Sequence, residues 1–333
     1  MNPIRSIHDL RREVPDEAAA RALFERLVWP SGPHCPCCGS LKVWRFRAEG
    51  RRSRDGLLQC ADPECGHQFT VTSRTPPHST KLPLLTWLHA LFLVLTSSKG
   101  VSSVVLARQI GVTQPTAWKM GHAIRALMAA KHVLIEGLTG VVEADTKRVG
   151  GTPRRQEGTQ NPSGRGSKKP IVLVATARGG QVRAAVIPNE SKEAVESVLK
   201  AFVDATAHLM SDGDRTLVSL GKDFAAHETV NHGQHEYVRD AVHSNTADRF
   251  GDALERMKIG VFHHLSRDHL QRYVEEVCWH WNNRVQVKTR QSRGKLRRNW
   301  QPRVFLGQLT DLLRVAVGVQ LRRSKNFGIR VVA

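Results

Sequence analysis

Five of the six cysteines fall between Cys35 and Cys65, four of them in two spaced pairs: Cys35 and Cys38 in "CPCCGS", Cys60 and Cys65 in "CADPECGHQF". This clustering limits the local fold more than any hydropathy pattern does. A C-x2-C knuckle and a looser C-x4-C knuckle flank the basic hairpin "VWRFRAEGRRSRDGL", each followed by a glycine, Gly39 or Gly66. Four thiolates so placed fit one tetrahedral, structural Zn2+ in a zinc ribbon. Disulfides are the alternative, and they need an oxidising compartment. The stretch "MNPIRSIHDLRREVPDEAA" has no apolar signal core, so export is not expected, the thiols are expected to be reduced and the location cytoplasmic. Cys37 stays open as a substitute for a neighbouring cysteine, and His67 as a competing ligand, beside the preferred four-cysteine set.

Fifty Lys and Arg against thirty Asp and Glu leave 333 residues with a formal charge of +20. Self-repulsion on that scale is relieved by a polyanion, so nucleic acid is the expected partner. The most apolar stretch, "LLTWLHALFLVL" from Leu84 to Leu95, is too short to span a bilayer and contains His89, so no membrane association is expected. The following "GVSSVVLARQIGVTQPTAWKMGHAIRALMAA" reads as a helix, a turn at Gly111, an N-cap at Thr113 and a second helix from near Pro115. That is either a helix-turn-helix, with Gln114, Thr116 and Lys119 towards a DNA groove, or an ordinary helical hairpin.

From about Gly140 the pattern changes to alternation. "GVVEADTKRVGG", "KPIVLVATAR" and "QVRAAVIP" read as three strands, "SKEAVESVLKAFVDAT" as a helix capped by Ser191, and "HLMSDG" as another strand, an α/β arrangement. Between the first two strands lies "GTPRRQEGTQNPSGRGSKKP", read as a mobile basic loop whose Arg154, Arg155, Lys168 and Lys169 would clamp phosphates. The helical stretch from Ala241 to Gly260 carries Asn245, Asp248, Asp252 and Glu255 on one stripe. Asp145, Asp212 and Asp248, from two strands and one helix, are placed to converge on a pair of divalent metals about 4 Å apart. The chain divides into an N-terminal helix and ribbon (1–75), a helical DNA-binding region (76–135), an α/β catalytic region (136–290) and a basic C-terminal segment (291–333).

The stretches "CPCCGS", "CGHQFTVTSRT", "VVEADTKRVGG", "MSDGD", "VNHGQHEYVRDAVHSNTADRF" and "GVFHHLSRDHLQRYVEEVCWHWNNR" occur in that order. Together with the helical stretch from Trp87 to Met128 they resemble the zinc-ribbon DDE transposases of bacterial insertion sequences, the ISXO-type group, from about Cys35 to Arg284. The resemblance implies a ribonuclease H-like core preceded by a zinc ribbon and a helix-turn-helix. It also implies Mg2+ or Mn2+ as cofactor, and cleavage and strand transfer on double-stranded DNA, the element's ends and the target. Two DNA ends must be brought together, so a nucleoid-associated homo-oligomer is expected. The family's first two acids fall on Asp145 in "VEAD" and Asp212 in "SDG", and its H-x-N-x-x-E element on His243, Asn245 and Asp248. Asn245 is then the next residue towards the metals, and Asp252 is solvated. His263, His264 and His269 are read as packing and DNA-backbone contacts rather than metal ligands.

Four positions depart from the family pattern. Thr146 and Arg148 stand where Glu and an aromatic are usual, Asp248 replaces Glu, and Glu255 replaces a base. Shortening Glu to Asp retracts the carboxylate on the order of 1 Å, a misplacement that can cost about a hundredfold in rate. The competing reading is therefore a catalytically weakened or inactive DNA-binding derivative of such a transposase.

Overall fold

Ser6 and Asp16 start the first two helices. Ser6 forms a reciprocal capping box with Asp9 at the head of α1 (Ile7–Glu13), and the Asp16 carboxylate accepts the Ala19 N–H at the head of α2 (Glu17–Val28). The computed structural model describes residues 3–46, 55–150, 167, 169–231, 234, 236, 238–290, 296–323 and 329–332. Two units divide the chain: Met1–Val133 with Asn283–Ala333, and Leu134–Asn282.

In the first unit β1 (Val43–Arg45), β2 (Leu58–Cys60) and β3 (Gln68–Phe69) form a three-stranded antiparallel sheet in that order. The apolar stretch becomes α3 (Leu84–Thr96), which buries Trp87, Leu88, Leu91, Phe92 and Leu95. Its own N-cap, Pro83, has no side chain to offer, and Glu17 of α2 accepts the Leu84 and Leu85 N–H groups at 2.9 and 3.0 Å instead. Among the described residues no helix is long and apolar enough to cross a membrane. Next come α4 (Ser103–Ile110), a turn at Gly111 and α5 (Gln114–His132) with Thr113 at its N-cap.

The second unit runs β4 (Val141–Arg148), β5 (Ile171–Ala177), β6 (Val182–Ile187), α6 (Lys192–Phe202), β7 (His208–Asp212), α7 (Arg215–Leu220), β8 (Ala226–Val230), α8 (Asn245–Met257) and α9 (Leu270–Asn282). Its sheet has the order β6-β5-β4-β7-β8, antiparallel from β6 through β4 and parallel from β4 through β8. Alternation sorts the side chains into two layers. Val142, Ala144, Leu173 and Ala175 pack with Val195 and Leu199 of α6 and Leu217 and Leu220 of α7. On the other face Val172, Val174, Val182 and Ala184 meet Phe250, Leu254 and Met257 of α8 and Val274 and Val277 of α9. Phe250 is fully buried, so truncating it to alanine would cost about 3–5 kcal/mol.

The chain then returns to the first unit through the antiparallel hairpin β9 (Arg284–Arg290) and β10 (Leu296–Pro302), α10 (Phe305–Arg314), and a second hairpin of β11 (Gln320–Arg323) and β12 (Ile329–Val332). Residues from 291 onward, read from their charge as a basic segment, thus include a core helix. Phe305, Leu309, Leu312 and Leu313 are buried, α10 packs on α2, α3 and α5, and Phe305 meets Phe92 edge-on at 5.0 Å.

Candidate active site

Two groups of ligand-bearing side chains are built into the chain. In the ribbon, each knuckle turns on a left-handed glycine, Gly39 at φ 76° and Gly66 at φ 52°, a conformation in which a Cβ is unfavourable. The turns bring Cys35 Sγ to 3.7 Å from Cys65 Sγ and Cys38 Sγ to 3.5 Å from Cys60 Sγ. The four ligand atoms lie within 4.8 Å of one another. A tetrahedron with Zn–S bonds of about 2.3 Å has sulfur–sulfur edges of about 3.8 Å, so the cluster fits a structural Zn2+. Neither alternative ligand belongs to it: Cys37 is exposed, and His67 stacks on Phe69 with ring centres 6.4 Å apart.

The carboxylates come from the second unit. Alternation along β4 places Glu143, Asp145 and Lys147 on the face opposite Val142 and Ala144. Parallel pairing of Ala144 with Ser211 sets Asp145 beside Asp212, the last residue of β7. α8 packs on β4 and β5 and carries Asp248 in its first turn. The three acids therefore reach one end of the parallel strands. Burial, then the negative charges of Asp212 and Asp248, push the Asp145 carboxyl up to about 7, against partial relief from the Thr146 N–H and Lys147. At 1.36 kcal/mol per pKa unit, ionising it without a cation costs on the order of 4 kcal/mol. A divalent ion among these oxygens would remove that cost, so the donor set fits one.

The remaining stripe residues separate by burial. Asn245 opens α8 and is half-buried, as is Asp248, whereas Asp252 is exposed. Glu255 pairs with Lys258 at 3.0 Å, and Lys258 Nζ also donates to the Gly150 carbonyl at 3.0 Å. His263 and His264 are exposed and His269 is half-buried. Arg148, in place of an aromatic, pairs with Glu190 at 2.5 Å.

Reading the sequence for ligands passed over Glu143 and Arg178. Glu143 is fully buried and takes the Arg178 Nε–H on Oε1 at 2.7 Å. It also accepts the Thr246 and Ala247 N–H groups on Oε2 at 2.5 and 3.2 Å, and the Thr246 hydroxyl on Oε1 at 3.0 Å. His243 Nδ1 lies 3.2 Å from Oε1 without hydrogen-bond geometry. The available signal was two acids at i and i+2 in one strand, hence on one face.

In the helical pair, Gln114 and Lys119 are exposed and Thr116 is half-buried. The Gln114 amide donates to Ser103 Oγ of α4 at 2.7 Å, and the Thr116 and Thr113 hydroxyls are 2.9 Å apart. Lys169 lies just before β5, half-buried, its N–H bonded to Ser167 Oγ at 3.2 Å. Arg154, Arg155 and Lys168 lie outside the described residues.

Comparison with known proteins gives two family matches in chain order. Residues 15–68 match the transposase zinc-ribbon domain, and residues 137–282 match the ISXO2-like transposase domain. Asp145, Asp212 and Asp248 all lie within the second match. A curated relative from Halobacterium salinarum, described as an uncharacterized protein in transposable element ISH50, is 25% identical over 288 residues, covering 82% of this chain and 91% of the relative.

Proposed function

With both domains present in order, the chain belongs to the zinc-ribbon ISXO2-like transposases of insertion sequences, and from that premise we propose that it binds insertion-sequence ends and catalyses metal-dependent DNA cleavage and strand transfer. One observation carries the catalytic assignment: Asp145 is buried on the strand beside Asp212 with Asp248 near it, and burial, then those two charges, push its carboxyl up to about 7. Mg2+ or Mn2+ held by these three carboxylates, with Asn245 beside them, would supply activation of the attacking oxygen and stabilisation of the leaving oxygen in phosphodiester chemistry. The protein's own part is to hold three acids on rigid strands and a capped helix. A cation held there would favour the ionised form of Asp145, whose carboxyl burial and then Asp212 and Asp248 push up to about 7. Water attacks first and frees a DNA 3'-hydroxyl, and that hydroxyl attacks a target phosphodiester second; in each step the new P–O bond forms as the bond from phosphorus to a 3'-oxygen breaks, the departing 3'-oxygen takes up a proton, and no covalent protein intermediate forms.

The mixed sheet with helices on both faces is read as a ribonuclease H-like core, and α4 with α5 as a helix-turn-helix. Gln114, Thr116 and Lys119 then face a DNA groove, with Gln114 also tied to α4. Arg154, Arg155, Lys168 and Lys169 contact phosphates, so binding is strongly salt-dependent. Two DNA ends must meet, which calls for a homo-oligomer on DNA acting in the cytoplasm at the nucleoid.

Strand cleavage and joining on DNA carrying the cognate ends tests the proposal, comparing wild type with Asp145→Ala, Asp212→Ala and Asp248→Ala in Mg2+ or Mn2+. Wild type should cut and join, and each variant should bind DNA and do neither. A zinc-loaded wild type that binds these ends and never cuts them would reduce the protein to a DNA-binding derivative.

A further inference from the structure

Resting on the carboxylate reading above, we infer that Glu143 is a positioning residue for the reaction: an N-cap reaching from β4 that sets where α8 begins and therefore where Asp248 meets Asp145. The first amides of a helix have no partner within it. Ser244, at the N-cap of α8, makes no side-chain cap bond. The Thr246 and Ala247 amides and the Thr246 hydroxyl all go to the Glu143 carboxylate. A negative charge at this helix end is also favourable in its own right.

The carboxylate is anchored from the other side. Arg178, just past the end of β5, donates to Glu143 and with its remaining nitrogens to the Ala241 and His243 carbonyls at 2.6 and 3.0 Å, in the segment that enters α8. One of those nitrogens also lies 2.9 Å from Met210 Sδ of β7. A single ion pair, with Glu143 buried and Arg178 half-buried, therefore ties β4, β5, β7 and the start of α8 together. Glu143 and Asp145 share one face of β4, while Asp248 follows directly after the capped Ala247 amide. Through Glu143 the separation of two catalytic carboxylates becomes a matter of fixed covalent spacing along one strand and the first turn of one helix. With both its oxygens turned onto α8 and Arg178, Glu143 acts through Asp248 rather than on a metal.

The test uses full-length, zinc-loaded protein and three variants: Glu143→Gln, Thr246→Val and Asp145→Ala. Mn2+ affinity is read by electron paramagnetic resonance titration, amide exchange across α8 by mass spectrometry, and kcat and KM on DNA bearing the element ends. Glu143→Gln should speed exchange at residues 246–249 and weaken Mn2+ binding about tenfold. It should also lower kcat about a hundredfold, the cost of a misplacement near 1 Å, with KM for DNA within about twofold. Thr246→Val, which removes one of the three bonds, should move the same quantities in the same direction by a few-fold. A purely structural role predicts a lower Tm with Mn2+ affinity and kcat of the folded protein unchanged, and that result overturns the inference. Should Glu143→Gln fail to fold, Thr246→Val decides: unaltered Mn2+ affinity and kcat overturn it. Asp145→Ala separates the two levels. If it binds Mn2+ like wild type, the carboxylate reading itself is lost; if it loses Mn2+ while Glu143→Gln keeps full affinity and rate, only the positioning role is.

Discussion

In the ribbon, four thiols gather within 4.8 Å of one another, whereas in the α/β unit Asp212 and Asp248 add to burial in pushing Asp145 up to about 7 without the three carboxylates forming so compact a cluster among the described residues. The difference lies in what holds each group. Two knuckles on short strands supply the thiolates, with little apolar core around them beyond residues such as Leu58 and Phe69. Two of the carboxylates stand on a five-stranded sheet packed on both faces by helices, and Asp248 on one of those helices. A metal should therefore be a condition of folding in the first region and only a relief of charge in the second.

Zinc removal sharpens that contrast most. Chelation, or Cys60→Ser, should strip protection from residues 35–69 in hydrogen exchange and leave β4–β8 protected, because structural zinc is worth on the order of 10 kcal/mol or more. Loss of protection in both regions at once would break the comparison.

The next effect has the opposite sign and concerns the zinc-loaded protein without Mg2+ or Mn2+. Asp145 has a folded pKa raised from 3.8 to about 7, so the folded state holds its proton more tightly than the unfolded chain does. Its penalty is absent below about pH 4, grows as pH rises to 7 and is complete above. Asp145→Asn should thus stabilise the α/β unit by up to about 4 kcal/mol above pH 7 and by nothing near pH 4. Thermal unfolding across that range checks this, and a pH-independent difference would refute the charge crowding.

Asp248→Glu probes the departure from the family pattern. With its shorter arm Asp248 already lies close enough for its charge to raise Asp145, so lengthening it should overreach and lower cleavage about a hundredfold; a gain in rate would mean that the shorter acid is a defect. The smallest effect belongs to Cys37, exposed and outside the cluster. Cys37→Ser should keep zinc stoichiometry and change stability by less than about 0.5 kcal/mol, as metal analysis and thermal unfolding would show.

Much of this was legible in residues near one another along the chain. Cysteine spacing located the ribbon ligands, alternation in "VVEADTKR" located β4, and Ser191 marked the start of α6. β8 left no such mark, because Val230 alone of its residues is buried and joining the sheet through backbone pairing to β7 needs no apolar pattern. The basic charge of the C-terminal region likewise masked α10, whose apolar face is completed only by α2, α3 and α5.

By itself the sequence determined the ribbon and the identity of the acids available for metal chemistry, since knuckles, caps and strand alternation depend on neighbours a few residues away. Tertiary structure alone decided how these acids come together in space. Asp248 and Asp252 occupy the same stripe of α8, and only the seating of that helix on β4 leaves one against Asp145 and the other in water. That seating rests on Glu143 capping amides 103 and 104 residues away, a contact that no local pattern encodes because it exists only once the sheet and the helix have met.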